Sequence, residues 1–222
     1  MHYHCEIIMP PTDDVEAAVK LIMAPFYEGE EDEDIKSNHP FWDFWVIGGR
    51  WAGAKQKATY DKEKLEAFYA WCTEEKITVS GLTAGKQSIQ PVSQIPMVDA
   101  KWNEMFPSAK FSACPLFAHS NDQYSSKSLI DGDICKVSEV PDNLECSRVI
   151  VACFDYQDKL YAEHMLSDSI YNGCNFERTK WNGTIVDAIS DYEKSHSSYR
   201  DEWKEKNTIK PDWLVVTVDY HS

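Results

Sequence analysis

The sequence lacks the features of an exported, membrane-spanning or generally nucleic-acid-binding protein. No run of about 18 apolar residues occurs, so no transmembrane helix is predicted, and the N-terminus has neither the basic segment nor the apolar run of a secretory signal. Positive charge is scarce, with 22 Lys and Arg against 37 Asp and Glu and a formal net charge of −15. This excess argues against binding nucleic acid directly, because the long-range field repels phosphate. We expect a cytoplasmic protein without a membrane partner.

Several motif classes are also missing. The seven cysteines form no CxxC pair, which argues against zinc fingers and ribbons. With no export signal, scattered reduced thiols are the ordinary interpretation. The phosphate-binding patterns GxxxxGK[ST] and GxGxxG do not occur, nor do HExxH or a nucleophile elbow. No cofactor is predicted.

What the chain does contain is enough apolar material for a genuine core. It has 222 residues, of which 43% are hydrophobic and 13% aromatic, a composition that fits a single folded domain over 1–222. Strands and helices alternate around a Ser- and Pro-rich stretch at 80–147, interpreted as a loop-rich insertion or lid. This order predicts an α+β fold in which helices cover an antiparallel sheet, with a ferredoxin-like arrangement as one form. Strands are predicted over 2–9, 41–47, 148–156, 159–165 and 213–221, and helices begin near 13, 60 and 184.

The first and last predicted strands carry polar residues with a period of two. Alternation places His2, His4 and Glu6 on one face of the first strand. If the two strands pair antiparallel, these residues meet Asp219 and His221 of the last strand. Such a group can bind a transition metal or act as a general acid and base near pH 7, with His4, Glu6, Asp219 and His221 as candidate catalytic residues. A solvated or hydrogen-bonded sheet face without function is the structural alternative.

A basic and aromatic segment follows the second predicted strand. Gly48 and Gly49 allow positive φ and can present successive N–H groups to an anion. Arg50 adds a planar guanidinium suited to phosphate or carboxylate, and the nearby indoles offer faces on which a base can stack. In the structural alternative, Arg50 pairs with Asp43 and the glycines only turn a hairpin. The candidate ligand-binding residues are Trp45, Gly48, Gly49, Arg50, Trp51 and Lys55.

Two segments resemble a pattern found in uncharacterised phage and prophage proteins. The stretch Trp42–Trp51 is similar to a W-D-x-[WY]-x-I-G-G-R-W segment, and Val218–His221 is similar to a C-terminal V-D-x-H strand. Trp203, shortly before that strand, matches as well, whereas the Ser-rich middle does not. The resemblance implies no known activity. It does imply a phage-encoded protein expressed in the cytoplasm of a bacterial host.

Three functions follow as hypotheses. The first is a binding protein for a small anionic, nucleotide-like ligand, which in a phage setting includes capture of a host defence signal. The second is a hydrolase or phosphodiesterase, with or without a metal, that uses the histidine face. The third is an inhibitor whose acidic surface imitates nucleic acid, suggested by six acids within residues 28–34. Homo-oligomer formation stays open.

Overall fold

The chain was analysed as a computed structural model that describes most, but not all, of its residues. Contacts divide it into two compact units. The sheet unit comprises Met1–Ile47 and Ile134–Ser222, and the helical unit comprises Gly48–Asp133. The described residues are 2–29, 40–77, 79–83, 86–89, 92–107, 133–154, 160–167, 180–181 and 183–222.

Strands and helices are numbered along the chain. The strands are β1 (His2–Met9), β2 (Phe44–Ile47), β3 (Val79–Thr83), β4 (Lys86–Ile89), β5 (Ile134–Lys136), β6 (Arg148–Phe154), β7 (Leu160–Ser167), β8 (Lys180–Trp181) and β9 (Leu214–His221). The helices are α1 (Val15–Met23), α2 (Ala54–Ala58), α3 (Lys62–Glu74), α4 (Ile95–Met105), α5 (Ile185–Ser195) and α6 (Asp201–Asn207).

The sheet unit is built on a seven-stranded mixed sheet. Its order is β2-β9-β1-β6-β7-β8, and β5 also pairs with β9. The α+β class is confirmed, and so is the predicted pairing of the first and last strands side by side and antiparallel. The expectation of a purely antiparallel sheet is wrong, because β1 pairs with β6, and β7 with β8, in parallel. A ferredoxin-like sheet contains a split βαβ unit, whereas here β1 and β6 are direct neighbours.

Helix α1 covers one face of this sheet. It begins where the Asp14 side chain accepts a hydrogen bond from the backbone N–H of Ala17 at 3.0 Å, which satisfies one free donor of the first turn. Its buried residues Val19, Ile22 and Met23 pack against apolar side chains of the central strands. Because β1 and β9 alternate side chains, this aromatic and aliphatic core occupies one face and leaves the polar residues on the other.

The second long helix of the sheet unit ends earlier than expected. The sequence predicts one helix from about 184 to 206, whereas the structure has two, α5 and α6, separated by a turn at 196–200. At the end of α5, the Nδ1 atom of His196 lies 2.7 Å from the Tyr192 carbonyl oxygen, an acceptor of the last helical turn. Tyr192 and Trp203 are buried, whereas Tyr199 is exposed.

The helical unit has its own core and its own small sheet. Helices α3 and α4 pack through large aromatic side chains, among them Phe68, Trp102 and Phe106, and β3 pairs with β4 in an antiparallel hairpin. This unit spans 48–133. The single domain over 1–222 and the insertion or lid at 80–147 stay predictions. Across the described ranges, no helix combines the length and the apolar character needed to cross a membrane.

Candidate functional site

A row of polar side chains runs along the two central strands of the sheet unit. Directly opposed residues of an antiparallel pair project to the same face. The predicted meeting of the two polar strand faces is therefore confirmed. The opposed residues are His2 with His221, His4 with Asp219, and Glu6 with Thr217.

Most of this polar face is buried. His4, Glu6 and Asp219 are 3%, 0% and 2% exposed, so the alternative of a solvated face does not hold for them. A helix end lies on the same side of the sheet: His196, directly after α5, places its Nε2 atom 3.0 Å from a carboxylate oxygen of Glu163. Glu163 shares this face through the pairing of β7 with β6 and of β6 with β1.

The inner part of the face is a buried hydrogen-bond network. The Nε2 atom of His4 lies 2.8 Å from Oε1 of Glu6, and the Thr217 hydroxyl donates to the same oxygen at 2.9 Å. An ionised carboxylate only accepts hydrogen bonds, so the His4 nitrogen that faces it carries a proton. The hydrogen bond from Thr217 to Glu6 crosses from β9 to β1, so we assign this buried network a role in holding the two strands together.

The outer part of the face holds two histidines, each oriented by its own aspartate. His2 Nδ1 lies 3.0 Å from Asp219 Oδ1, and His221 Nδ1 lies 2.8 Å from Asp43 Oδ1. The two imidazole rings are 5.0 Å apart between centroids. Both Nδ1 atoms donate to carboxylates, and neither Nε2 atom has a partner among the described residues. In each of the two oriented imidazoles, Nε2 is therefore the nitrogen left to contact a substrate.

These outer pairs differ in their exposure to water. The His2 side chain is 19% exposed and that of Asp219 only 3%, whereas the His221 and Asp43 side chains are 39% and 52% exposed. The hydrogen bond from His221 lowers the pKa of the Asp43 carboxyl, because it stabilises the charged form. One imidazole is therefore anchored to a buried acid and the other to a surface acid.

Sequence reasoning missed the contacts that Asp43 and Thr217 make on this face. Asp43 precedes β2, and its backbone N–H donates to the His221 carbonyl at 3.0 Å, which brings its carboxylate beside the ring. The only sequence signal was an acid at the start of a strand that pairs with β9, and that pairing is not visible in local patterns. Thr217 looked like an ordinary strand residue.

The predicted ligand segment is divided between the two units. Trp45 lies on β2 in the sheet unit, half-buried, with its ring edge-on to Trp42 at 6.3 Å. The remaining candidates belong to the helical unit. Gly48 and Gly49 have φ of 73° and 53° and are buried, so the expected positive φ is confirmed. Trp51 is half-buried. The side chain of Arg50 lies outside the described residues.

Lys55 is buried rather than presented to solvent. It is 3% exposed, and its ammonium donates to the Asp133 carbonyl oxygen at 2.9 Å. The Asp133 carboxylate accepts a hydrogen bond of 2.6 Å from the backbone N–H of Gly53. Lys55 therefore helps to join the two ends of the helical unit. Its role in ligand binding stays a prediction, and most of the acidic run 28–34 lies outside the described residues.

Comparisons with known proteins identify no relative. No protein-family model matches the chain, and no curated protein or solved structure is detectably similar to it. Within the described ranges, no group of three or more His, Cys, Asp or Glu residues has the arrangement of a metal site. The resemblance to phage and prophage proteins stays a prediction, and function is inferred from side-chain geometry.

Proposed function

We propose that the protein is an acid–base hydrolase of the phosphodiesterase type, with His2 and His221 as its catalytic residues. One observation carries this proposal: the two imidazoles lie 5.0 Å apart, each is anchored through Nδ1 by an aspartate, and each presents Nε2. A histidine oriented through Nδ1 by a carboxylate is the usual form of a general base or acid. A protonated imidazole also attracts a phosphate group in an otherwise acidic chain.

The two rings divide the proton transfers of hydrolysis. One neutral imidazole takes a proton from the attacking water at Nε2 while the water oxygen bonds to phosphorus. The other imidazole, protonated, gives its Nε2 proton to the leaving alkoxide as the bond from phosphorus to that oxygen breaks. The products are a phosphomonoester and an alcohol, and the two rings have exchanged protonation states. Of the residues that the sequence proposes, His221 reacts, Asp219 orients His2, and His4 and Glu6 support the strands.

The proposal is tested by turnover of a chromogenic phosphodiester and of 2′,3′-cyclic nucleotides. His2→Asn and His221→Asn keep a donor near the Nδ1 position for the aspartate but remove Nε2. Each should lower kcat by about 10²- to 10⁴-fold, the usual contribution of a general acid or base. His221→Ala should regain part of its rate when imidazole is added, because the His221 side chain is 39% exposed. An inert wild-type protein, or an active His221→Asn, would overturn the proposal.

A second candidate is a binding protein for a small anionic, nucleotide-like ligand at Gly48, Gly49 and Arg50, including capture of a host defence signal. The consecutive positive φ values of the glycines favour it, since such backbone can turn successive N–H groups toward an anion. Thermal shift against linear and cyclic nucleotides tests it. Stabilisation that disappears in Gly49→Ala supports this site, and no response to any nucleotide removes it.

A further inference from the structure

The sheet face opposite the histidines contains a buried cation among aromatic rings. Arg148, the first residue of β6, is 7% exposed. The carbon of its guanidinium lies 3.5 Å from the centre of the Phe41 ring and 5.4 Å from that of Tyr220. Cys5 lies beside Arg148 in the register of β1 with β6. Tyr3, half-buried, stacks on Tyr220 at 5.3 Å and is the most exposed member of this cluster.

The hydrogen-bond donors of this cluster outnumber its acceptors. Arg148 Nε donates to the Tyr220 hydroxyl oxygen at 3.2 Å. A guanidinium has five N–H donors and no acceptor, and within the described part of the chain no carboxylate or carbonyl accepts from its terminal amino groups. Since Tyr220 is the acceptor in that bond, its own O–H proton is also left for another acceptor.

Cys5 and Tyr220, which lie beside this guanidinium, supply no negative charge to it. Burial raises the pKa of the Cys5 thiol and raises that of Tyr220 to about 12, in both cases against the influence of Arg148. Both groups are therefore neutral at physiological pH. Aromatic faces attract a cation, but they return less than the cost of burying an unpaired charge. An anion beside the terminal amino groups would supply both an acceptor and the opposite charge.

We propose that Arg148 and Tyr220 form a binding site for a small oxyanion, such as inorganic phosphate or the phosphate group of a larger ligand. Two terminal amino groups of a planar guanidinium match two oxygens of such a group, and the Tyr220 hydroxyl supplies a third donor beside them. Arg148 and Tyr220 lie on the face opposite His2 and His221, since they share the face of Tyr3 and Cys5. The site is therefore separate from the proposed catalytic pair.

The test is the thermal stability of the full chain in sodium phosphate against sodium chloride of equal ionic strength. The wild-type melting temperature should rise with phosphate and saturate, because a ligand that binds only the folded state stabilises it. Arg148→Gln should lose this rise, and Tyr220→Phe, which keeps the ring, should need severalfold more phosphate. Arg200→Gln removes one exposed positive charge and should respond like the wild type.

Further variants separate this site from the histidine pair. His221→Asn should keep the part of the phosphate response that Arg148→Gln removes, whether or not the protein proves to be a hydrolase. Isothermal titration of the His221→Asn protein with phosphate should show a site whose dissociation constant rises severalfold when Tyr220→Phe is added and at least about tenfold when Arg148→Gln is added. If Arg148→Gln does not fold, the phosphate affinity of Tyr220→Phe alone tests the site. A wild-type protein without a phosphate-specific response, or unchanged affinity in Tyr220→Phe, would overturn the proposal.

Discussion

The inner and outer histidines of one sheet face each contact a carboxylate, but the two kinds of pair differ in which ring nitrogen makes the contact. His4 and Glu6 lie in the interior, with side chains 4% and 0% exposed, and their contact is made through the Nε2 atom of the ring. His2 and His221 lie at the end of the strands and contact their aspartates through Nδ1. The nitrogen that faces the carboxylate therefore decides which nitrogen is left for a substrate.

Burial adds a second difference between the two regions. The inner carboxylate accepts from both His4 and Thr217, so its removal leaves two buried donors without that acceptor. The Asp219 and Asp43 carboxylates each orient one ring at the strand ends. Mutations of the inner pair should therefore affect folding first, whereas mutations of the outer rings should affect chemistry first.

Glu6→Ala should cause the largest loss of stability. Leaving a buried donor without its acceptor typically costs about 1–3 kcal/mol, and Glu6→Ala leaves two such donors, on His4 and Thr217. Glu6→Gln should cost clearly less, since its amide oxygen can still accept from His4 and Thr217. The measurement is urea denaturation together with hydrogen exchange of the β1 and β9 amides, which reports on this sheet alone.

The contrast between the two Glu6 variants is the control for side-chain volume. If Glu6→Ala and Glu6→Gln were equally stable, the carboxylate oxygen would not be the acceptor that holds the network. A loss of turnover in Glu6→Gln with unchanged stability would also contradict the structural role of the inner pair and would assign it to catalysis.

Urea denaturation should show different losses of stability when each of the two outer histidines is replaced by alanine. His2→Ala removes a hydrogen bond to Asp219, whose side chain is 3% exposed, and should cost about 1–3 kcal/mol, the usual penalty when a buried polar group loses a partner. His221→Ala removes a contact between exposed groups and should barely change the urea midpoint, because water replaces it. Equal losses would contradict the difference in burial between the two pairs.

Much of the histidine face is predictable because it depends on alternation within two strands. The period of two in residues 2–9 and 213–221 places His4, Glu6 and Asp219 on one side once the strands pair. Asp43 is not predictable in this way, because its contact requires β2 to align beside β9, which is a long-range pairing. Arg148 starts an apolar strand and looks like an exposed strand end; it is buried only because Phe41 and Tyr220 approach it from elsewhere in the chain.

The smallest expected effect concerns the exposed Asp43 carboxyl. Its pKa lies below the usual 3.8 because it accepts a hydrogen bond from His221, and the positive charge of the protonated ring adds to this. A carboxyl whose pKa is lower in the folded state stabilises the fold at pH values above its unfolded pKa, and this contribution disappears as the pH falls through the folded pKa.

His221→Phe keeps a ring but removes the donor, so the Asp43 pKa should rise toward 3.8. Carboxyl NMR shifts between pH 2 and pH 6 measure it. An unchanged Asp43 pKa in His221→Phe would mean that the ring is not held by this acid, and the outer pairs would then lose the orientation on which their proposed chemistry depends.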